Sequence, residues 1–294
     1  MRCEIGAMAA HRSRSLAVVC LLARANGFEV VDVISTRPVK LPPLNSGAMI
    51  SLREEFALKE SGGATEFGAV IWPCAEYLCR WLSAEPTIVG ARILELGSGT
   101  GACGIYAAAL GASMVTLTDG GGPDMLELLQ SNADLNRDLL GSSSLNIERL
   151  AWGDLGDGCM LAADQFDYVI AADVMYGMEA TTLGAREDAI QRVEALAATF
   201  EALLLCSPDS SADSPPRIIV AHCCRSDDLR GSESSWDRRD EVLEYFIGAA
   251  ARRGMDVAHL DTERPRIVLQ ESHREQTVNH WSADLLLFEV KPSN

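Results

Sequence analysis

A carboxylate, three glycines and a second carboxylate fall in one short stretch: Glu95, then Gly97, Gly99 and Gly101, then Asp119. The glycines follow the apolar run Ile93-Leu94-Glu95-Leu96 and precede a small-residue run from Ala102 to Leu110, after which the chain reads Met114-Val-Thr-Leu-Thr-Asp119. This order spells strand, tight turn, helix and second strand. Glycines at such a turn let the backbone bend sharply and approach a ligand, where a Cβ would collide. The helix that follows presents unpaired N–H groups at its start. Ser98 lies inside the same turn, and Asp119, about 20 residues further on, can accept hydrogen bonds from ribose hydroxyls. The chemistry is that of a nucleotide half-site, and these residues alone leave the nucleotide open.

Gly97-Ser98-Gly99-Thr100-Gly101-Ala102 also satisfies the G-x-G-x-x-A form of the dinucleotide fingerprint. Glu95 tilts the choice. A carboxylate two residues before the first glycine repels a pyrophosphate but suits a cation, such as the amino group and sulfonium of S-adenosylmethionine.

The 294 residues carry 48% hydrophobic and 23% charged side chains, the composition of a globular chain with a sizeable core. No apolar run approaches the roughly 18 residues of a membrane span, so no membrane partner is expected. The net charge of −17 and pI near 4.7 argue against a nucleic-acid partner and favour a basic protein or peptide. Lys40, Lys59 and Lys291 are the only lysines, a bias read as genome composition. Nine cysteines without a C-x-x-C pair fit neither a disulfide framework nor a zinc site, so a reducing, cytoplasmic location is expected, with the nucleus compatible. Cys223 and Cys224 beside His222 read as strand residues, and no metal is expected. Arg12 and Arg14 ahead of Leu16 to Ala23 resemble a targeting segment. That apolar run is short, and Glu4 interrupts the basic region. Residues 1–25 are therefore read as an ordinary or over-extended N-terminus, with organelle import and export the alternatives.

The elements that must position these residues form one array. Residues 1–60 read as an N-terminal extension with a strand near Phe28 to Ile34 and a Pro-rich turn from Pro38 to Pro43; residues 61–294 read as one domain. Trp72-Pro73 opens a helix with Ala75, Leu78, Trp81 and Leu82 on one face. Strands at Arg92 to Leu96, Met114 to Thr118, Ile147 to Leu150, Tyr168 to Ala172 and Arg217 to Ala221 alternate with helices from about Ala102, at Met125 to Leu140 and at Ala185 to Leu204. Such alternation predicts a parallel sheet with helices on both faces and ligands at the strands' carboxyl ends. A helix Glu241 to Arg253 and strands Met255 to Leu260 and Asp284 to Val290 follow. The last two strands are spaced for antiparallel pairing. Ser207 to Pro216 and Ser226 to Arg239 read as surface loops.

Ile71-Trp72-Pro73, Glu95 to Gly101, Thr118-Asp119, Asn132-Ala-Asp-Leu-Asn136, Trp152-Gly153-Asp154 and Phe166-Asp-Tyr-Val-Ile-Ala-Ala-Asp173-Val-Met-Tyr176 together resemble the seven-strand, S-adenosylmethionine-dependent methyltransferases. Asp-x-x-Tyr with the upstream Trp-Pro points to the protein-lysine methyltransferases of family 16 type, which include the valosin-, chaperone- and calmodulin-modifying enzymes. The resemblance covers roughly Gly68 to Arg225. It implies an α/β fold: a Rossmann-like seven-stranded sheet, mostly parallel, with an antiparallel last strand. It further implies that Trp72, Gly97, Gly99, Asp119, Trp152 and Ala172 contact the cofactor, with Glu95, Ser98 and Gly101 completing the set. Trp152 would stack or edge against adenine.

Asp173 and Tyr176 would face the transferred methyl at the end of the fourth core strand. A lysine of pKa about 10.4 loses its proton near pH 7.4 at a cost of about 4 kcal/mol; burial and an adjacent cation lower that pKa, whereas a carboxylate raises it. Asp173 is therefore assigned to acceptor orientation and Tyr176 to an aromatic wall with a hydroxyl. The implied activity is methyl transfer to a lysine of a protein substrate by a monomer. Alternatives are another acceptor, such as a histidine, a protein N-terminus or a small molecule, or a non-catalytic cofactor-binding scaffold. No Asn-Pro-Pro-Tyr stands at the fourth strand, which weighs against acceptors that are adenine or glutamine amide nitrogens. A dehydrogenase would need a catalytic histidine, and only His222 lies near a strand end.

Overall fold

The computed structural model describes residues 33–34, 41–44, 46–54, 69–154, 166–177, 183–205, 215–224, 240–260, 266–272 and 278–293, with backbone alone at 33–34, 266–272 and 278–284. The targeting-like stretch 1–25, most of the expected strand at Phe28 to Ile34 and the loop Ser226 to Arg239 lie outside the described residues.

Strand β1 is Val33–Ile34 and helix α1 is Pro73–Ala84; β2 is Arg92–Leu96, α2 Ala102–Ala109, β3 Met114–Asp119, α3 Pro123–Leu135 and β4 Ser144–Arg149. Then come β5 at Tyr168–Ala172, α4 at Leu183–Leu205, β6 at Arg217–Cys224, α5 at Glu241–Arg252, β7 at Met255–His259, β8 at Arg266–Ser272 and β9 at Val278–Pro292. Strands β4, β3, β2, β5 and β6 lie side by side in that order, all parallel. β9 runs antiparallel to β6, and β7 pairs antiparallel with β9, which makes β7 parallel to the other five. These seven strands are the expected sheet. Two strands lie beyond it: β8 forms a hairpin with β9, and β1 pairs with β8. The 24 or so residues before Asp284 lacked a helical period because part of them is strand; β9 begins at Val278.

Apolar side chains cover both faces, as a central parallel strand requires. Ile93, Ile170 and Ile219 face Leu78, Leu82 and Ile105 of α1 and α2, while Leu94, Val169 and Val220 face Val193 and Phe200 of α4 and Phe246 of α5. Phe200 meets Phe246 edge-on with centroids 5.9 Å apart. Two further boundaries differ from expectation. α3 stops at Leu135, short of Leu140, because Asn136 leaves the helical region at φ −110° and a 3-10 turn, Arg137–Leu139, follows. β6 runs on through His222 to Cys224 because β9 supplies partners to its end. No described helix is long and apolar enough to cross a membrane.

The chain turns in opposite directions from β2, toward β3 and β4 on one side and β5 and β6 on the other. The crevice above such a switch point is where open α/β sheets bind ligands. Leu96 pairs with Ala171, so the glycine turn after β2 and the Asp173 segment after β5 leave the sheet side by side.

Candidate cofactor site and acceptor end

Gly97, Gly99 and Gly101 all adopt left-handed backbone, at φ 66°, 51° and 80°. This region costs a side chain roughly 1–2 kcal/mol. Crowding adds to the requirement: a Cβ on Gly101 would sit 2.5 Å from Leu129 Cδ1, and one on Gly97 would sit 3.0 Å from Val174 Cγ1 and 3.1 Å from the Trp152 ring. Gly97 therefore lies between the loop after β4, which carries Trp152, and the loop after β5, which carries Asp173. The structure brings these three sequence-distant pieces together.

Hydrogen bonds fix the turn to β3. The Ser98 N–H donates to Thr118 O at 2.8 Å, the Thr118 N–H donates to Ser98 Oγ at 3.0 Å, and the Thr118 hydroxyl donates to Glu95 O at 2.7 Å. Ser98 is thus turned inward, its hydroxyl engaged by the neighbouring strand. Asp119 accepts from the Gly99 N–H at 2.9 Å through Oδ2 and from the Gly121 N–H at 2.8 Å through Oδ1. Each carboxylate oxygen has a second lone pair available for a hydroxyl.

Glu95 is 3% exposed and lies under the first turn of α2, where it accepts from the Gly104 N–H at 3.0 Å. Gly104 must be bare: a Cβ there would stand 2.1 Å from Leu117 and 2.7 Å from Glu95 Oε2. Burial pushes the Glu95 carboxyl up to about 7, against the lowering effect of hydrogen bonds from Gly104, Ser98 and Cys103, and the charge of Asp119 adds to the rise. The Glu95 carboxyl thus lies out of solvent, behind the glycine turn.

Trp72 is the half-buried N-cap of α1, ahead of Pro73. Trp152 is half-buried with its ring against Gly97. Ala172 ends β5, in register with Ala221. The next residue, Asp173, is 8% exposed and has φ 58°, the one non-glycine in left-handed backbone among the described residues; its N–H donates to Ala221 O at 2.9 Å. Strain of this kind is stored where a side chain must be aimed. Tyr176 is half-buried, and the Arg192 guanidinium of α4 lies 5.1 Å from its ring centroid and donates to its carbonyl at 3.4 Å.

Four features at this end were assigned no role of their own in the sequence: Arg192, the pair Asn132 and Asn136, Thr118, and the buried contact of His222 with Asp240 at the end of β6. In that contact His222 Nε2 lies 3.1 Å from Asp240 Oδ2, while Asp240 Oδ1 caps α5 by accepting from the Leu243 N–H at 3.0 Å. Donor atoms of His222, Cys224 and Asp240 lie within 4.8 Å of one another. The carboxylate is already used to hold α5 onto β6. His222 follows Ala221, whose carbonyl accepts from the Asp173 N–H, so the pair lies directly behind the Asp173 segment. A proximity of this kind, between residues 18 apart across a loop, leaves no spacing signal.

The sequence pattern of the lysine methyltransferase family matches residues 51–211, more than half of the chain. The chain belongs to the lysine methyltransferase family. The match starts at residue 51, ahead of the Trp72 helix. Among curated relatives, protein-lysine methyltransferase METTL21E of Bos taurus is 38% identical over 114 residues, 37% of this chain and 38% of that protein. Protein-lysine N-methyltransferase EEF2KMT of Mus musculus is 31% identical over 194 residues, 63% of this chain and 52% of that protein. The chain thus spans about half or less of the length of these relatives. Among solved structures, the ribosomal protein L11 methylase of Lactobacillus delbrueckii subsp. bulgaricus aligns over 76% of this chain and 78% of its own, with 15% identity and a TM-score of 0.40.

Proposed function

We propose that this family member transfers a methyl group from S-adenosylmethionine to the side-chain amine of a lysine in a protein substrate. The observation that carries the reading is the convergence on Gly97 of the Trp152 ring and the Asp173–Val174 loop, in a chain whose family is that of lysine methyltransferases. The cofactor fits the residues present: two neighbouring carboxylates, Glu95 and Asp119, favour a cationic ligand, and Asp119 keeps lone pairs for ribose hydroxyls. When bound, it supplies an already activated methyl on a sulfonium.

The residues of this chain then have to align an amine and keep water out. Asp173 is aimed by its backbone and its bond to Ala221, and orients the incoming ammonium before proton loss. Tyr176, braced by Arg192, forms the wall of the channel. The amine becomes nucleophilic by losing its proton to solvent, at a cost of about 4 kcal/mol for an unperturbed lysine near pH 7.4, which burial beside a cation reduces. The net charge of −17 favours a basic protein as partner, and the odd cysteine count supports a cytoplasmic location.

Transfer of labelled methyl from S-adenosylmethionine into lysate proteins, with the modified residue mapped by mass spectrometry, tests the reading. Label on lysine, lost in Asp173→Ala while cofactor binding persists, is the expected outcome. Label only on histidine or on N-termini would assign another acceptor, and binding without transfer would leave a cofactor-binding scaffold.

A further inference from the structure

Asn132, on α3, and Asn136, its C-cap four residues on, are 0% and 1% exposed. Four helical residues rise about 6 Å, close to the roughly 6.6 Å between alternate residues of an extended chain. Residues 51 and 53 use this match. The Ser51 N–H donates to Asn136 Oδ1 at 2.8 Å and Asn136 Nδ2 donates to Ser51 O at 2.7 Å; the Arg53 N–H donates to Asn132 Oδ1 at 2.7 Å and Asn132 Nδ2 donates to Arg53 O at 3.1 Å. Each side-chain amide thus acts as the peptide group of an adjacent strand. The residues that alternate with them, Ile50 and Leu52, turn inward onto the core.

The same two residues reach the candidate cofactor site. Asn132 Nδ2 also donates to Thr100 O of the glycine turn at 2.9 Å. Glu54, next along the strap, accepts from the Ile71 N–H at 2.7 Å, immediately before Trp72. One short extended segment therefore joins the turn that would hold the methionine end to the start of the helix that carries Trp72.

We infer that residues 51–54 form a strap whose seating is coupled to cofactor binding, with Asn132 and Glu54 as positioning residues. The inference rests on the cofactor assigned above. Coupling is reciprocal by thermodynamic necessity: a cofactor that fixes the glycine turn tightens the strap, and a loosened strap weakens the cofactor. A buried donor or acceptor left unpaired is costly, so coupling of about tenfold, about 1.4 kcal/mol, is expected.

Hydrogen exchange on the whole wild-type chain, with and without saturating S-adenosylmethionine, reads the coupling directly. The Ser51 and Arg53 amides should exchange about tenfold more slowly with cofactor present. In Asn132→Ala, calorimetry should show affinity reduced about tenfold and exchange at Arg53 indifferent to cofactor. Should that variant fail to fold, Ser51→Pro removes one strap donor from an exposed position and leaves the turn untouched; its cofactor affinity should fall about threefold. Wild-type binding with unchanged exchange at residues 51 and 53, or folded variants with wild-type affinity, would overturn the strap and leave the methyltransferase reading standing. No binding by the wild-type protein would overturn both.

Discussion

Glu95→Gln isolates the one carboxylate that the fold buries beneath the glycine turn. The Glu95 pKa is raised from 4.5 to about 7. Between those values the folded protein keeps a proton that the unfolded chain has already released, so stability falls as pH rises through that window and levels off above about 7. At 1.36 kcal/mol per pH unit the whole window is worth about 3 kcal/mol. Between pH 5.5 and 8, both above the pI near 4.7, about 2 kcal/mol of it should appear. Urea unfolding of wild type and Glu95→Gln at the two pH values measures this as a difference of differences, in which packing changes and all other titrations cancel. The ligand-free variant should gain about 2 kcal/mol on wild type in going from pH 5.5 to 8. A bound cation favours ionised Glu95, so wild-type affinity for S-adenosylmethionine, relative to the variant, should rise with pH across neutrality. Equal stability differences at both pH values would show that Glu95 is charged throughout, and its assignment as a desolvated partner would fall.

Other expectations rest on the same site. Gly97→Ala adds a methyl into left-handed backbone 3.0 Å from Val174 and 3.1 Å from Trp152; it should cost about 1–3 kcal/mol of stability, and calorimetry should show weakened cofactor binding, whereas an unchanged melting curve would mean the turn can open. Asp119→Ala frees the N–H groups of Gly99 and Gly121 and removes the ribose acceptor, so affinity should fall by about 3 kcal/mol, roughly a hundredfold. Phe246→Ala, which removes a fully buried ring packed on Phe200 and Phe288, should cost about 3–5 kcal/mol in urea unfolding with cofactor affinity per folded molecule unchanged, because that ring belongs to the core on the opposite face of the sheet from the helix after the glycine turn.

What the sequence disclosed divides by distance along the chain. Glu95, the three glycines and Asp119 lie within one strand-turn-helix-strand unit, and local chemistry dictates each of them: φ above zero demands glycine, and a strand end demands a polar tip. The alternation of strands and helices foretold the parallel sheet, while its seven-stranded form was what the family resemblance implied. Asn132 and Asn136 belong to a segment that carried the family resemblance, but their role was not legible, because their partners lie 79 and 85 residues away and two asparagines four apart carry no spacing that names an occupant. The hairpin of β8 and β9 was missed because the apolar run of β8, Ile267-Val268-Leu269, is short and bounded by Arg266 and Gln270-Glu271. Asp173 was legible as a strand-end carboxylate, but its left-handed backbone was not, since that conformation is imposed by Ala221 on one side and Val174 against Gly97 on the other. The aim of the proposed acceptor carboxylate is therefore a tertiary property. A substitution at Ala221 or Val174 should disturb it as surely as one at Asp173, whereas the cofactor half-site is encoded almost wholly in the residues from Glu95 to Asp119.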